Sequence, residues 1–348
     1  MNQDKELQNF EKLLKKKFED TKFFNAQELP PVVPNFTGSL KLDILLHGPF
    51  FEGAIVELYG ESGSGKTTLA LSVLNEAAIN NPHKKLLYLD QEMRLRDTLV
   101  ETFPALANKL KIVQAPTGND ALQIAELWLK QFPGSIVVLD SVDALLPDND
   151  KKIGEAQVGS LPRLMSDGCR KIARSCASAG STMIFLNQIR SKIGAYGDPD
   201  TTSGGKALPF YASQRIQLKQ NAQTYRIKDE EGNTIGHNVR FKIVKNSVTV
   251  PYVEGDFPLV YGKGIDKVHE LVELACDFEV LKKEGSYIYL EENGEFKKRP
   301  PKTVRDMMKA DDNLYKSILN QVKDLYPEIF ANKKVKQKNT EDIVKIDE

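Results

Sequence analysis

The octapeptide GESGSGKT, Gly60 to Thr67, constrains this chain more tightly than any other stretch of it. It fits G-x-x-x-x-G-K-[ST]. The apolar run AIVELY precedes it, and TLALSVLNEAAIN, with a helical look, follows. A strand, a glycine turn and a helix in that order aim backbone N–H groups and the positive helix end at one point, where phosphate oxygens can sit. The cradle comprises Gly60, Glu61, Ser62, Gly63, Ser64, Gly65, Lys66, Thr67 and Thr68. Lys66 is expected to reach the β- and γ-phosphates, and the Thr67 hydroxyl to hold Mg²⁺. A ligand-free glycine turn requires neither Lys nor Thr at those positions, nor a strand in front.

From Gly38 to about Gly264 short apolar runs (AIVELY, KKLLYLD, GSIVVLD, STMIFLNQ) alternate with helical patterns. That alternation predicts an α/β fold with a mostly parallel sheet. Ahead of it, ELQNFEKLLKKKFED repeats Phe10, Leu13, Leu14 and Phe18 at helical spacing, and the proline-rich ELPPVVPNF breaks the pattern as a linker does. Beyond YGKGID the pattern changes to helix, a hairpin-like SYIYLEENGEFKK, and more helix. The expected division is an N-terminal helix and linker at 1–36, a core at 37–264, a small α/β domain at 265–330 and a polar, disordered tail at 331–348.

Lys plus Arg and Asp plus Glu both number 48, so bulk charge announces no polyanion partner, and any basic surface must be local. Three cysteines without a C-x-x-C argue against a disulfide framework or a zinc site and fit a reducing, cytoplasmic compartment. The opening MNQDKELQNF lacks signal-peptide character, and no apolar run is long enough to span a membrane.

Three strand ends supply the rest of the chemistry. SIVVLD ends in Asp140, where a second magnesium ligand belongs; the competing reading is a helix N-cap for DSVDALL. LLYLDQE offers Asp90 and Glu92, which share a strand face, and spacing alone does not separate the base from a cap. MIFLNQIR ends in Asn187, Gln188 and Arg190, amides placed to report a γ-phosphate. After it, IRSKIGAYGDPDTTSGGKAL is long, glycine-rich and aperiodic, which marks a working loop or a floppy one. Glycine, threonine and basic residues suit a backbone-phosphate clamp, and Tyr196 can stack on a base. The span Lys151 to Arg174 carries six basic residues against two acidic and is a second candidate, with a solvated helix face as the alternative.

Taken together, TGSLKLDILL, VELYGESGSGKTTLAL, YLDQE, IVVLDSVDALLP, MIFLNQIRSKIG, TTSGGKALPFYASQRI and KIVKNSVTVPY resemble segments of the RecA family of homologous recombinases, phage recombinases of the UvsX kind included, in the family's order. The resemblance covers about Thr37 to Phe330. It implies a RecA-like ATPase core whose N-terminal arm mediates assembly and whose C-terminal domain captures duplex DNA. The function implied is ATP- and Mg²⁺-dependent filament formation on single-stranded DNA, followed by pairing with double-stranded DNA and strand exchange. Single-strand-binding and mediator proteins are further implied partners. By motif, Glu92 corresponds to the glutamate that activates water and Gln188 to the γ-phosphate sensor. Lys245 corresponds to a lysine reaching the neighbouring subunit's nucleotide. DNA contacts fall on Arg163, Arg170, Arg190, Lys192, Tyr196, Thr201, Thr202, Ser203, Gly204 and Gly205. Phe23 and Ala26 have the F-x-x-A spacing that related recombinases dock on the next subunit. Departures are Ser247 in place of a second interface lysine, Leu99 in place of an adenine-stacking tyrosine, and a tail of mixed charge. The readings left open are a ring-forming RecA-fold helicase, an ATP-binding DNA-coating or mediator protein, and a P-loop small-molecule kinase.

Overall fold

The computed structural model describes residues 2–18, 32–148, 159–191, 200–220, 226–292 and 294–330. The chain divides after Val32 into two units. The first contains helix α1 (Asn2–Lys17), which ends in Lys15, Lys16 and Lys17, where the helix dipole favours cations. Leu7, Phe10 and Leu13, three residues apart, are all exposed.

The second unit opens with α2 (Leu40–Leu46), β1 (Ile55–Gly60), α3 (Lys66–Asn80), β2 (Leu86–Asp90), α4 (Asp97–Glu101), β3 (Leu110–Val113), α5 (Gly118–Gln131) and β4 (Ile136–Asp140). Then come α6 (Ser160–Ala179), β5 (Thr182–Ser191), β6 (Asp200–Thr202), α7 (Ala207–Tyr211), β7 (Gln214–Gln220), β8 (Arg226–Lys228), β9 (Thr234–Asn246), β10 (Val253–Val260) and β11 (Gly264–Ile265). The C-terminal part holds α8 (Lys267–Asp277), β12 (Lys282–Glu284), β13 (Tyr287–Glu292), β14 (Glu295–Arg299), α9 (Pro301–Ala310), α10 (Asp312–Asp324) and α11 (Pro327–Phe330).

The large sheet runs β11-β10-β9-β7-β1-β5-β4-β2-β3, with β6 beside β5 and β8 beside β9. Six strands, β7 to β3 in that order, are parallel; β9, β10 and β11 form an antiparallel wing. The four apolar runs of the sequence are β1, β2, β4 and β5, and they are continuous in hydrophobicity because both sheet faces are covered. Alternate residues feed two cores. Val56, Leu58, Leu86, Tyr88, Ile136, Val138, Ile184 and Leu186 pack with α2 and α3. Ile55, Leu87, Leu89, Val137, Leu139, Met183 and Phe185 pack with α5 and α6. The P-loop and the ends of β2, β4 and β5 therefore meet at the carboxyl edge of a parallel sheet, the usual ligand side.

A third core belongs to the small C-terminal domain, whose sheet is β12-β13-β14. It gathers Leu271, Ala275, Ile288, Leu290, Val304, Met308, Ile318 and Val322, together with Ile44 from α2. At that joint Glu270 is buried. Its carboxylate accepts from Ser39 Oγ at 2.5 Å, Leu40 N at 2.8 Å and Lys41 N at 3.3 Å. Burial pushes the Glu270 carboxyl up to about 7 in spite of those bonds. Between the ordinary carboxylate range and that value, the folded chain binds a proton that the unfolded chain has lost, so stability falls as pH rises to about 7 and then levels off. Glu270→Gln is expected to shrink the decline in stability from about pH 5 to 7.5 by up to about 3 kcal/mol, while Asp43 beside it, whose carboxyl burial also raises, keeps its own share. A wild-type curve that is already flat there would refute the assignment.

The three cysteines are unpaired; Cys169 and Cys176 are buried, and burial pushes both thiols up to about 12. No helix among the described residues is long and apolar enough to cross a membrane.

Candidate nucleotide site and its link to the DNA loops

β1 ends at Gly60, and α3 begins at Lys66. The turn between them depends on its glycines. Gly63 and Gly65 have φ of 78° and 92°, and a Cβ on Gly60 would lie 2.1 Å from the Leu218 carbonyl oxygen. Lys66 Nζ donates to Gly60 O at 2.9 Å and to Glu61 O at 2.7 Å. Burial lowers the Lys66 pKa, and Asp140, Glu92, Asp143 and Glu61 oppose that effect. Among the described residues, Ser64 Oγ is buried without a hydrogen-bond partner. An orphaned hydroxyl in a glycine-lined cradle around an ammonium suits a polyphosphate, because each of these groups gains from an anion's oxygens.

Asp140 does not serve as the N-cap that its position also allowed. Its Oδ2 accepts from Thr67 Oγ1 at 2.8 Å and from Tyr88 OH at 2.6 Å. Burial raises its pKa, and the two hydroxyls work against the rise. Among the described residues no group of three or more His, Cys, Asp or Glu could hold a metal ion. One hydroxyl and one carboxylate, hard oxygen donors completed by phosphates, are the donor set that Mg²⁺ takes at nucleotide sites.

The two carboxylates at the end of β2 and just beyond it separate. Asp90 is buried, and its oxygens accept from Arg94 N, Leu95 N and Gln114 Nε2, each at 3.2 Å. Glu92 Oε1 accepts from Ser141 Oγ at 2.5 Å and from Gln188 Nε2 at 3.1 Å; the exposed Arg94 guanidinium lies 3.3 Å from Oε2. The structure thus brings Glu92, Gln188, Lys66, Thr67 and Asp140 together and turns Asp90 away to hold the following turn.

Gln188 also faces Ser203, at the end of the glycine-rich stretch between β5 and α7, the second loop of the chain after the one that precedes α6. Its backbone N–H donates to Asp143 Oδ2 at 3.0 Å, and Ser203 Oγ donates to the other oxygen of Asp143. Asn187 Nδ2 donates to Ser203 O and to Glu57 Oε1, both at 3.0 Å. Glu57, fully buried, takes Arg215 Nε at 2.5 Å. Ser203 and Gly204 are buried. A Cβ on Gly204 would meet Met165 at 2.9 Å, and one on Gly205 would meet Pro162 at 3.1 Å. Reading the sequence by motif missed Tyr88, Ser141 and Asp143. Asp143 was written in DSVD, three residues past a strand end, but nothing in that spacing named its partners.

Arg163 and Arg170 are exposed on α6, Arg170 paired with Asp167 at 3.1 Å. Arg190 and Thr201 are backbone partners in the β5–β6 hairpin, where the sequence suggested only an aperiodic loop. Thr202 lines a hollow of about 470 Å³ with Tyr59, Arg215, Lys219, Arg240 and Lys242. Lys245 Nζ donates to the carbonyls of Pro209 and Phe210 at 3.0 and 2.9 Å, at the end of α7. Lys192 and Tyr196, Phe23 and Ala26, the Lys151–Val158 loop and the 331–348 tail lie outside the described residues.

A parallel sheet with a phosphate loop, an acidic partner for its threonine and a carboxylate held beside an amide define a P-loop ATPase. The family model for the RecA N-terminal domain matches residues 6–266. Protein RecA of Chloroherpeton thalassium is 37% identical over 298 residues, covering 84% of this chain and 81% of that protein. Protein RecA of Bifidobacterium breve is 38% identical over 299 residues, 84% and 73% of the two chains. Protein RecA of Oceanobacillus iheyensis is 35% identical over 264 residues, 75% and 74% of the two chains. The chain belongs to the RecA family.

Proposed function

We infer that this site couples ATP hydrolysis to the handling of DNA. The chain is an ATP-dependent recombinase, a DNA-dependent ATPase of recombination and repair that binds DNA and assembles with itself. The observation that carries the coupling is the carboxylate of Asp143, shared by the Gln188 N–H and the Ser203 hydroxyl.

In the mechanism, Lys66 supplies counter-charge to the β- and γ-phosphates; Thr67 with Asp140 would hold Mg²⁺, which would neutralise charge developing on the phosphates. Glu92 accepts a proton from the attacking water, with Ser141 and Gln188 fixing its carboxylate. Gln188 meets the γ-phosphate with the same amide that touches Glu92. Any shift of its backbone is passed through Asp143 to Ser203, and so to the base of the second loop. Arg163 and Arg170 from α6, together with Arg190, Lys192, Thr201 and Thr202, meet the DNA backbone and Tyr196 a base, while Ser203, Gly204 and Gly205 anchor the end of the loop that carries Lys192 and Tyr196. Lys245 completes the neighbour's nucleotide site, and Phe23 and Ala26 dock on a neighbouring subunit. Head-to-tail contacts of this kind generate an open helix on single-stranded DNA. Residues 265–330 capture the duplex, and accessory single-strand-binding and mediator proteins act on the filament. The free, buried cysteines support a cytoplasmic location.

Negative-stain microscopy of the protein with single-stranded DNA and a non-hydrolysable ATP analogue tests the reading. Continuous helical filaments that go on to exchange strands are expected. Closed rings would point to a helicase-type motor, and filaments inert in strand exchange to a coating protein.

A further inference from the structure

We propose that Tyr88 is a positioning residue for the divalent cation, holding the Asp140 carboxylate in the orientation that receives it. The inference rests on the reading of Thr67 and Asp140 as the cation's protein donors.

The strand register gives the geometry. β2 and β4 are parallel, with Tyr88 opposite Val138 and Asp90 opposite Asp140. Side chains two apart share a face. Tyr88 and Asp140 are therefore diagonal neighbours on the side of the sheet that α3 covers, within reach of a long side chain. The Tyr88 ring is fully buried in the core with Leu86, Val138 and Leu186. Its hydroxyl emerges at the top of that core and donates to Asp140 Oδ2 at 2.6 Å.

A tyrosine with this ring placement has an apolar explanation that a phenylalanine would satisfy equally. The hydroxyl needs its own reason, because an unpartnered buried O–H costs free energy. It adds a second donor to the oxygen that already takes Thr67 Oγ1. One donor leaves a carboxylate free to rock about its Cβ–Cγ bond. Two donors from different elements, the α3 N-terminus and the middle of β2, fix its plane. Thr67 keeps its proton on Asp140 while its lone pair faces the cation, so the cation's two protein donors are locked to each other and to the core. Partners of this outer kind set metal affinity by orienting the groups that face the ion.

The test is Mn²⁺ binding, read by electron paramagnetic resonance in the presence of ADP, so that no turnover is involved. Tyr88→Phe keeps the ring and the core packing. It is expected to weaken ADP-dependent Mn²⁺ binding by about 10-fold or more. ADP affinity in excess chelator should stay unchanged. Mn²⁺ binding equal to wild type in Tyr88→Phe, beside clearly impaired binding in Asp140→Asn, would overturn the role of Tyr88 alone. Equal binding by the wild type and Asp140→Asn would overturn the cation site itself and this inference with it. A loss of ADP affinity in chelator that matches the loss of Mn²⁺ affinity would mean that the hydroxyl shapes the whole pocket rather than the cation, and would also refute the proposal.

Discussion

Lys66→Ala is expected to lower ATP hydrolysis by at least about 10²-fold, the scale seen when a charge-stabilising group at a reacting centre is removed, and strand exchange should be lost with it. The reason is the neighbourhood of the ammonium. Glu61, Glu92, Asp140 and Asp143 all act on it, and a polyphosphate approaching four carboxylates would need its counter-charge. Alanine at a helix start is well tolerated, so the variant should remain folded. Phosphate release, measured with and without single-stranded DNA, is the readout. Wild-type turnover in this variant would remove the nucleotide reading altogether.

Glu92→Gln and Asp90→Asn are expected to behave oppositely, although the two residues lie in one pentapeptide. Glu92 is held between Ser141 and Gln188, where water facing the γ-phosphate would lie. Replacing its carboxylate should slow hydrolysis by roughly 10²-fold or more, the usual contribution of a general base, while ATP binding and filament assembly persist. Asp90 accepts two backbone N–H groups and an amide inside the fold. Asp90→Asn should cost about 1–3 kcal/mol of stability through unsatisfied donors and leave the chemistry near wild type. Single-turnover hydrolysis with a parallel thermal melt separates the two effects, and the reverse pattern would reassign the base.

The sequence carried the phosphate loop and the parallel core in plain form, because each is dictated locally. The phosphate demands glycine, lysine and threonine at fixed spacing, and a strand covered on both faces must be apolar throughout. Spacing alone could not tell Glu92 from Asp90, and only the family resemblance singled out Glu92, because the choice depends on how the chain turns after β2. That turn is set by Asp90's own bonds to Arg94 and Leu95. Tyr88 read as core because most of it is core; only the tertiary neighbour Asp140 reveals the use of its hydroxyl. The strand β6 is three residues of Asp-Thr-Thr with no hydrophobic alternation, and it exists through pairing with the overhang of β5. β12, Lys282–Glu284, is fully charged and is likewise a strand only because β13 is beside it.

The floor of the second loop has a consequence for anyone who would exchange parts between recombinases. Gly204 lies against Met165 and Val142, and Gly205 against Pro162, so the end of the loop stands directly on the first turns of α6 and on the residues after β4. The segment from Ser191 to Lys206 is thus not an independent cassette. Transplanted alone, it would meet foreign side chains where its two glycines need flat ground, and Ser203 would need an acceptor in place of Asp143. The portable piece is discontinuous: the loop, the opening turn of α6 and the short stretch from Ser141 to Asp143, which any two natural variants would have to trade together.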